Sequence, residues 1–240
     1  MINFVKSELL KQRHSYNRML LWLAPILTLL LALAMMGGSN LQNGAYNWWY
    51  TVLLPGSFTI FSAFTIARER KKNRHGLFGV VVQKSRLWLA QIIVGILFLL
   101  VSCIIFFVGG TFLGFLFGET INWMSCLTGS LLLVITFAWQ IPLWMCVTEL
   151  MGTVTTILLS MVCNSGIAVI CAAESYWWIP FSIPARLMCP IIGVLPNGLW
   201  VEAGSPMEHS NVILPGIMIT AALLMVFTIV TTLWFQKREV

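Results

Sequence analysis

The chain of 240 residues is 59% hydrophobic and 9% charged, with a formal net charge of +6 and a mean hydropathy of +0.89. Soluble domains carry about 25% charged residues, so this chain cannot cover its surface in water. The basic residues lie at the ends of apolar runs, where they meet lipid headgroups rather than nucleic acid. The composition therefore predicts an all-α integral membrane protein with a single transmembrane domain, residues 1–240.

The apolar runs predict six transmembrane helices. A mixed segment, 1–18, precedes them and predicts an interfacial helix on the inner leaflet. A cleaved signal peptide is the alternative for this region, but its polar lead is long. Residues 41–47 predict a short outer loop. The predicted spans are 20–36, 48–67, 87–117, 126–147, 154–172 and 212–235.

A basic stretch, 68–86, separates the second and third spans and holds seven of the 14 Lys and Arg residues. Since Lys and Arg stay preferentially on the cytoplasmic side of a membrane, this stretch predicts that both termini lie inside. Leu77, Val80 and Val81 recur at helical spacing and predict a short amphipathic helix. Such a helix can lie on the membrane or dock into a groove of a soluble partner. A solvated loop that only sets topology is the alternative.

Two features indicate close packing between spans. Gly110, Gly114 and Gly118 form a double G-x-x-x-G, which permits close approach of a second helix, within this chain or in another subunit. Gln140 and Pro142 interrupt the fourth span. We expect Pro142 to kink the helix and Gln140 to form an interhelical hydrogen bond worth about 1 kcal/mol.

The segment 174–209 contains five prolines, too many for one continuous helix. We expect an irregular segment that lies at the outer interface or re-enters the membrane as short helices covered by protein. In it, aromatic side chains lie beside acidic ones. An apolar platform with acids nearby suits a cationic amphipathic peptide, although ordinary interfacial anchoring explains the same aromatic residues. The candidate recognition residues are Glu174, Trp177, Trp178, Arg186, Trp200, Glu202 and Glu208.

The chemistry of most membrane enzymes and ion-coupled carriers is missing. The chain has no Asp, and no Lys, Arg or Glu lies within the predicted spans. Ion-coupled transport usually needs such groups. It also has no G-x-x-x-x-G-K-[ST] phosphate loop, and its histidines, His14, His75 and His209, lie in separate segments. We predict no catalytic residue, metal or cofactor in this chain. The six cysteines suit helix packing, although Cys171 and Cys189 could pair outside.

Several motifs carry a resemblance to a known family. They are Trp48-Trp49-Tyr50 with Leu54-Pro55-Gly56, Trp139-Gln140-Ile141-Pro142-Leu143, Trp178-Ile179-Pro180-Phe181-Ser182-Ile183-Pro184-Ala185-Arg186-Leu187-Met188-Cys189-Pro190 and Leu195-Pro196-Asn197-Gly198-Leu199. With this order of spans and basic loop, the chain resembles the permease subunits of type-2 ABC exporters. It is most similar to lantibiotic-immunity permeases of the mutacin and epidermin kind.

The resemblance implies a half-permease in a bacterial cell membrane, paired with a second, related permease subunit and a dimer of cytoplasmic ATPases that bind ATP and Mg²⁺. Together they would expel a cationic antimicrobial peptide and confer self-immunity. A type-2 ABC permease for another peptide or a lipid is the alternative, as is a membrane module that binds or senses a peptide without transporting it. The implied ATPase-coupling residues are Glu69, Arg70, Lys71, Arg74, Leu77, Phe78 and Val81. One departure is the inner turn 148–152, which carries Glu149 where the family pattern is more basic.

Overall fold

The computed structural model describes residues 1–13, 15–36, 38–71 and 83–237, and these ranges are almost wholly helical. The helices are α1 (Ile2–Gln12), α2 (Tyr16–Met35), α3 (Leu41–Trp48), α4 (Leu54–Lys71), α5 (Lys84–Phe117), α6 (Trp123–Phe137), α7 (Gln140–Met151), α8 (Thr153–Met161), α9 (Ala168–Ala173), α10 (Ile183–Ile192) and α11 (Ile213–Gln236). Within the same ranges the only strand-like pairing is an isolated bridge between Val194 and Trp200.

Five continuous helical segments are long and apolar enough to cross a membrane, and α6 with α7 forms a sixth if that bent pair is one span. The continuous segments are Tyr16–Met35, Leu41–Lys71, Lys84–Phe117, Thr153–Ala173 and Ser210–Gln236. The predicted fold class, a helical multi-pass membrane protein, is confirmed. The π-helical turns Trp49–Leu53 and Val162–Ile167 join α3 to α4 and α8 to α9 without breaking either segment.

The predicted outer loop at 41–47 is wrong, because these residues form α3, the first part of the second span. Gln42 and Asn43 are 2% and 4% exposed, which is far too buried for a loop in water. Their polarity suggested a loop, but hydrogen bonds to other parts of the chain satisfy their side chains. The second span therefore starts earlier than predicted.

The predicted kink near Pro142 is confirmed. α6 and α7 meet at an angle of 41°. Proline has no N–H, so the carbonyl of Ala138 cannot accept the usual bond from residue 142. It accepts from the backbone N–H of Ile141 instead, at 3.2 Å. Gly152, with φ of +88°, then turns the chain sharply from α7 into α8.

The longest helix, α5, has 34 residues and is therefore about 51 Å long. It packs against α2 and α6 along much of its length, and also against α1, α3 and α11. Aromatic pairs mark these contacts: the rings of Trp49 and Phe106 stack at 4.6 Å, and those of Phe61 and Phe98 at 4.4 Å. The core of the molecule lies around this helix.

We expect the connection between α4 and α5 on the cytoplasmic side, because most basic residues lie there or near the termini. Lys71 and Ala203 are both exposed, and the predicted topology places them on opposite sides of the membrane. In a background without the six native cysteines, Ala203→Cys should react with an impermeant maleimide in intact cells, and Lys71→Cys should react only after permeabilisation. The reverse pattern would invert the topology.

Candidate functional site

Gly110 and Gly114 of α5 pack against α3 of the same chain. A methyl group added at Gly114 would overlap the side-chain amide of Gln42. From this position Gln42 donates to the carbonyl of Gly110 at 3.4 Å. It also accepts from the backbone N–H groups of Thr120 at 2.7 Å and Ile121 at 2.9 Å. The small residues thus let α3 hold the turn between α5 and α6, while Gly118, with φ of +116°, ends α5.

The same helix and the turn after it anchor the outer segment, defined as residues 174–209. The side-chain amide of Asn43 donates to the carbonyl of Gly198 at 3.0 Å, and that of Asn47 donates to the carbonyl of Pro196 at 2.9 Å. The hydroxyl of Tyr50 donates to the carbonyl of Leu195 at 3.0 Å. Side chains of the second span therefore hold this proline-rich segment.

Arg186 is 5% exposed and lies on α10. Its guanidinium donates to the carbonyls of Pro206 at 3.0 Å and Met207 at 2.9 Å. These bonds fasten the end of the outer segment to α10. Among the predicted recognition residues, Arg186 is thus placed as an internal support and not on the surface that a peptide would meet.

The other predicted recognition residues are accessible. Trp178 and Trp200 are 56% and 39% exposed, and Trp177 is half-buried. The three acids are exposed. Glu202 and Glu208 share one short loop, in which Glu208 accepts from the backbone N–H of Gly204 at 2.9 Å. Within the described part of the chain, none of the three acids is in a salt bridge.

A compact charge cluster joins α1 to the end of α4. The Lys11 ammonium lies 2.5 Å from Glu8 Oε1 and 3.1 Å from Glu69 Oε1. Arg68 donates to the backbone carbonyl of Lys11 at 3.0 Å and has a nitrogen 3.9 Å from Glu8 Oε2. Burial favours the neutral form of Lys11, but bonds and charges from Glu8 and Glu69 outweigh it and raise its pKa. Two acids and two bases balance one another here.

This cluster changes the role expected of Glu69, one of the predicted ATPase-coupling residues. Glu69 is 7% exposed and faces Lys11, so it ties α4 to α1. Arg70 and Lys71 are exposed at the end of α4. The remaining predicted coupling residues, Arg74, Leu77, Phe78 and Val81, lie outside the described residues. Sequence reasoning missed Glu8 and Lys11, although their spacing of three residues on a helix was a usable signal.

A second buried polar group lies between α7 and the π-helical turn of the fifth span. The amides of Gln140 and Asn164 donate to each other, both at 2.9 Å, and Trp144 Nε1 donates to Gln140 Oε1 at 3.0 Å. The expected interhelical bond of Gln140 is present. Its partner Asn164, which the sequence analysis missed, also bonds Ser160, and Ser160 bonds Thr59 of α4 at 2.7 Å.

The described residues hold no group of three or more His, Cys, Asp or Glu side chains that could bind a metal ion. The six cysteines are free, so Cys171 and Cys189 form no disulfide here.

This architecture defines a class of protein: a helical multi-pass membrane protein with a long third span and a basic connection before that span. Residues 4–183, three quarters of the chain, match the family model described as ABC-2 family transporter protein, and the chain belongs to this family. No curated protein and no solved structure matches the chain. The chain is thus the membrane permease of an ABC exporter, and a separate ABC ATPase hydrolyses ATP.

Proposed function

We propose that this permease expels a lantibiotic-type cationic antimicrobial peptide from the membrane of the cell that produces it. Two of the motifs that resemble immunity permeases, 178–190 and 195–199, support this proposal because they lie in the outer segment. The 178–190 motif runs into and through most of α10, and 195–199 forms the turn that Asn43, Asn47 and Tyr50 hold.

The observation that carries the proposal is the surface of the outer segment. Trp178 and Trp200 are exposed there together with Glu174, Glu202 and Glu208, and these acids are in no described ion pair. Aromatic rings attract cations through their negative faces, and they also bury apolar side chains. A cationic amphipathic peptide arriving in the outer leaflet offers both kinds of group.

The energy for export comes from the ATPase, which in this proposal docks at the connection between α4 and α5. Exposed Arg70 and Lys71 form the rim of that contact, and Leu77, Phe78 and Val81 supply its apolar anchors. A second, related permease subunit completes the pathway, and ATP and Mg²⁺ bind the ATPase alone.

The test replaces the three acids together, as Glu174→Gln, Glu202→Gln and Glu208→Gln, in the assembled transporter. Losing three attractive charges should raise the peptide concentration that half-saturates ATPase stimulation about tenfold. Peptide tolerance of cells should fall in parallel, and added salt should shrink the difference from wild type because these charges are exposed. ATP-dependent loss of cell-bound peptide distinguishes export from sensing.

The matched control is Glu119→Gln, an exposed acid in the turn between α5 and α6. It should leave stimulation unchanged. If the triple variant inserts normally and keeps wild-type tolerance and stimulation across a range of salt, then the acids do not recognise the peptide.

A further inference from the structure

A cavity of about 740 Å³ lies between α1, α2, α4 and α5. Its floor is apolar and comes from all four of these helices. Half-exposed Leu97 and Val101 continue that floor along α5 towards the lipid-facing side. The apolar lining residues are Leu9, Leu10, Leu21, Phe61, Val94, Leu97, Phe98 and Val101.

The rim of the cavity is basic. Lys6 from α1, Arg13 directly after α1 and Arg18 from the first turn of α2 line it, and all three are exposed. Lys6, Leu9, Leu10 and Arg13 recur at helical spacing, so one face of α1, continued by Arg13 at its end, supplies two cations and two apolar side chains. None of the three cations is in a salt bridge with a described residue. By contrast, Lys11 on another face of α1 is neutralised by Glu8 and Glu69.

A buried hydrogen-bond acceptor in the lining is left without a donor. Asn17 is 1% exposed, and its amide nitrogen donates to Gln12 Oε1 at 2.9 Å and to Thr65 Oγ1 at 3.2 Å. These bonds orient the amide, while Asn17 Oδ1 has no partner among the described residues. Buried polar atoms are nearly always hydrogen-bonded, so this oxygen indicates a missing donor.

We propose that this cavity binds one anionic phospholipid of the inner leaflet whose headgroup carries a hydroxyl group. The phosphate lies among Lys6, Arg13 and Arg18, since basic pockets between spans on the cytoplasmic side suit anionic headgroups. A headgroup hydroxyl donates to Asn17 Oδ1, and an acyl chain lies on Leu97 and Val101. The positive rim suits the phosphate of such a lipid, the buried acceptor suits a headgroup hydroxyl, and the apolar floor suits an acyl chain.

The bound lipid would join α1 to α5 beside the charge cluster that ties α1 to the end of α4. It would therefore stabilise the position of α4, at whose end the connection to α5 begins. In the predicted topology this site lies on the opposite side of the membrane from the outer segment, so the proposal does not depend on which substrate is exported.

The test is native mass spectrometry of the full chain in lipid nanodiscs containing phosphatidylglycerol and phosphatidylcholine of equal acyl length. The wild-type chain should retain one phosphatidylglycerol in preference to phosphatidylcholine. The triple variant Lys6→Gln, Arg13→Gln and Arg18→Gln should lose that preference about tenfold. The matched control, Arg70→Gln, Arg86→Gln and Lys237→Gln, removes three exposed cations that do not line the cavity and should keep it.

Phosphatidylmethanol, which has the phosphate charge without a headgroup hydroxyl, probes Asn17. Wild type should retain it less well than phosphatidylglycerol, and Asn17→Leu should remove that difference. Equal retention of anionic and neutral lipid by wild type, or equal losses in the two triple variants, means annular lipid only and overturns the site. Equal retention of the two anionic lipids by wild type would overturn the contact with Asn17.

Discussion

Lys11→Met is expected to lower the free energy of unfolding by about 3 kcal/mol, because it leaves buried carboxylates without their cation. The side chains of Glu8 and Glu69 are only 1% and 9% exposed, and both lie within salt-bridge distance of the Lys11 ammonium. Arg68, at 3.9 Å from Glu8, is too distant to replace it fully. Denaturant titration of the purified chain in mixed micelles measures the loss.

Two further variants separate charge from packing. Lys6 lies on the same helix as Lys11, but it is exposed and in no described salt bridge. Lys6→Met should therefore change the free energy of unfolding only slightly. The combined variant Glu8→Gln, Lys11→Met and Glu69→Gln should recover most of the lost stability, since it removes both buried carboxylates together with their cation. Arg68 remains, and it keeps its bond to the backbone carbonyl of residue 11. If the triple variant is as unstable as Lys11→Met alone, then the loss comes from packing and the electrostatic account is wrong.

Gln140→Met is expected to lower the free energy of unfolding by about 2 to 3 kcal/mol, although methionine has a similar size and fits the same space. The substitution removes both interhelical bonds to Asn164 and leaves Trp144 Nε1 without its acceptor. Within a membrane no water replaces those bonds. The expected cost therefore exceeds the value of about 1 kcal/mol for one interhelical hydrogen bond.

A double-mutant cycle with Asn164→Leu tests whether the two amides act together. The double variant should be little less stable than either single variant, with a coupling free energy of about 1 to 2 kcal/mol. Thr136→Val is the matched control, because Thr136 is fully buried but bonds only carbonyls of its own helix. Additive losses in the cycle would show that Gln140 and Asn164 contribute separately.

Much of the fold follows from local features of the chain. The apolar runs predict the spans because the bilayer requires about 20 apolar residues in a helix. Pro142 predicts the bend between α6 and α7 because proline lacks the N–H that a straight helix needs. The five prolines of 174–209 predict an interrupted outer segment for the same reason, and α10 is its one longer helix among the described residues.

The tertiary structure alone decided which polar side chains are buried and with whom they pair. Gln42, Asn43 and Asn47 suggested a loop, yet they lie in a helix because backbone groups such as the Gly198 carbonyl, 155 residues from Asn43, satisfy them. Glu69 suggested an exposed contact, yet it faces Lys11, which is 58 residues away. Composition and spacing report local preferences, whereas each of these pairs depends on which distant helices come together. A single sequence therefore predicts the spans and their breaks, and the packed structure identifies the partners.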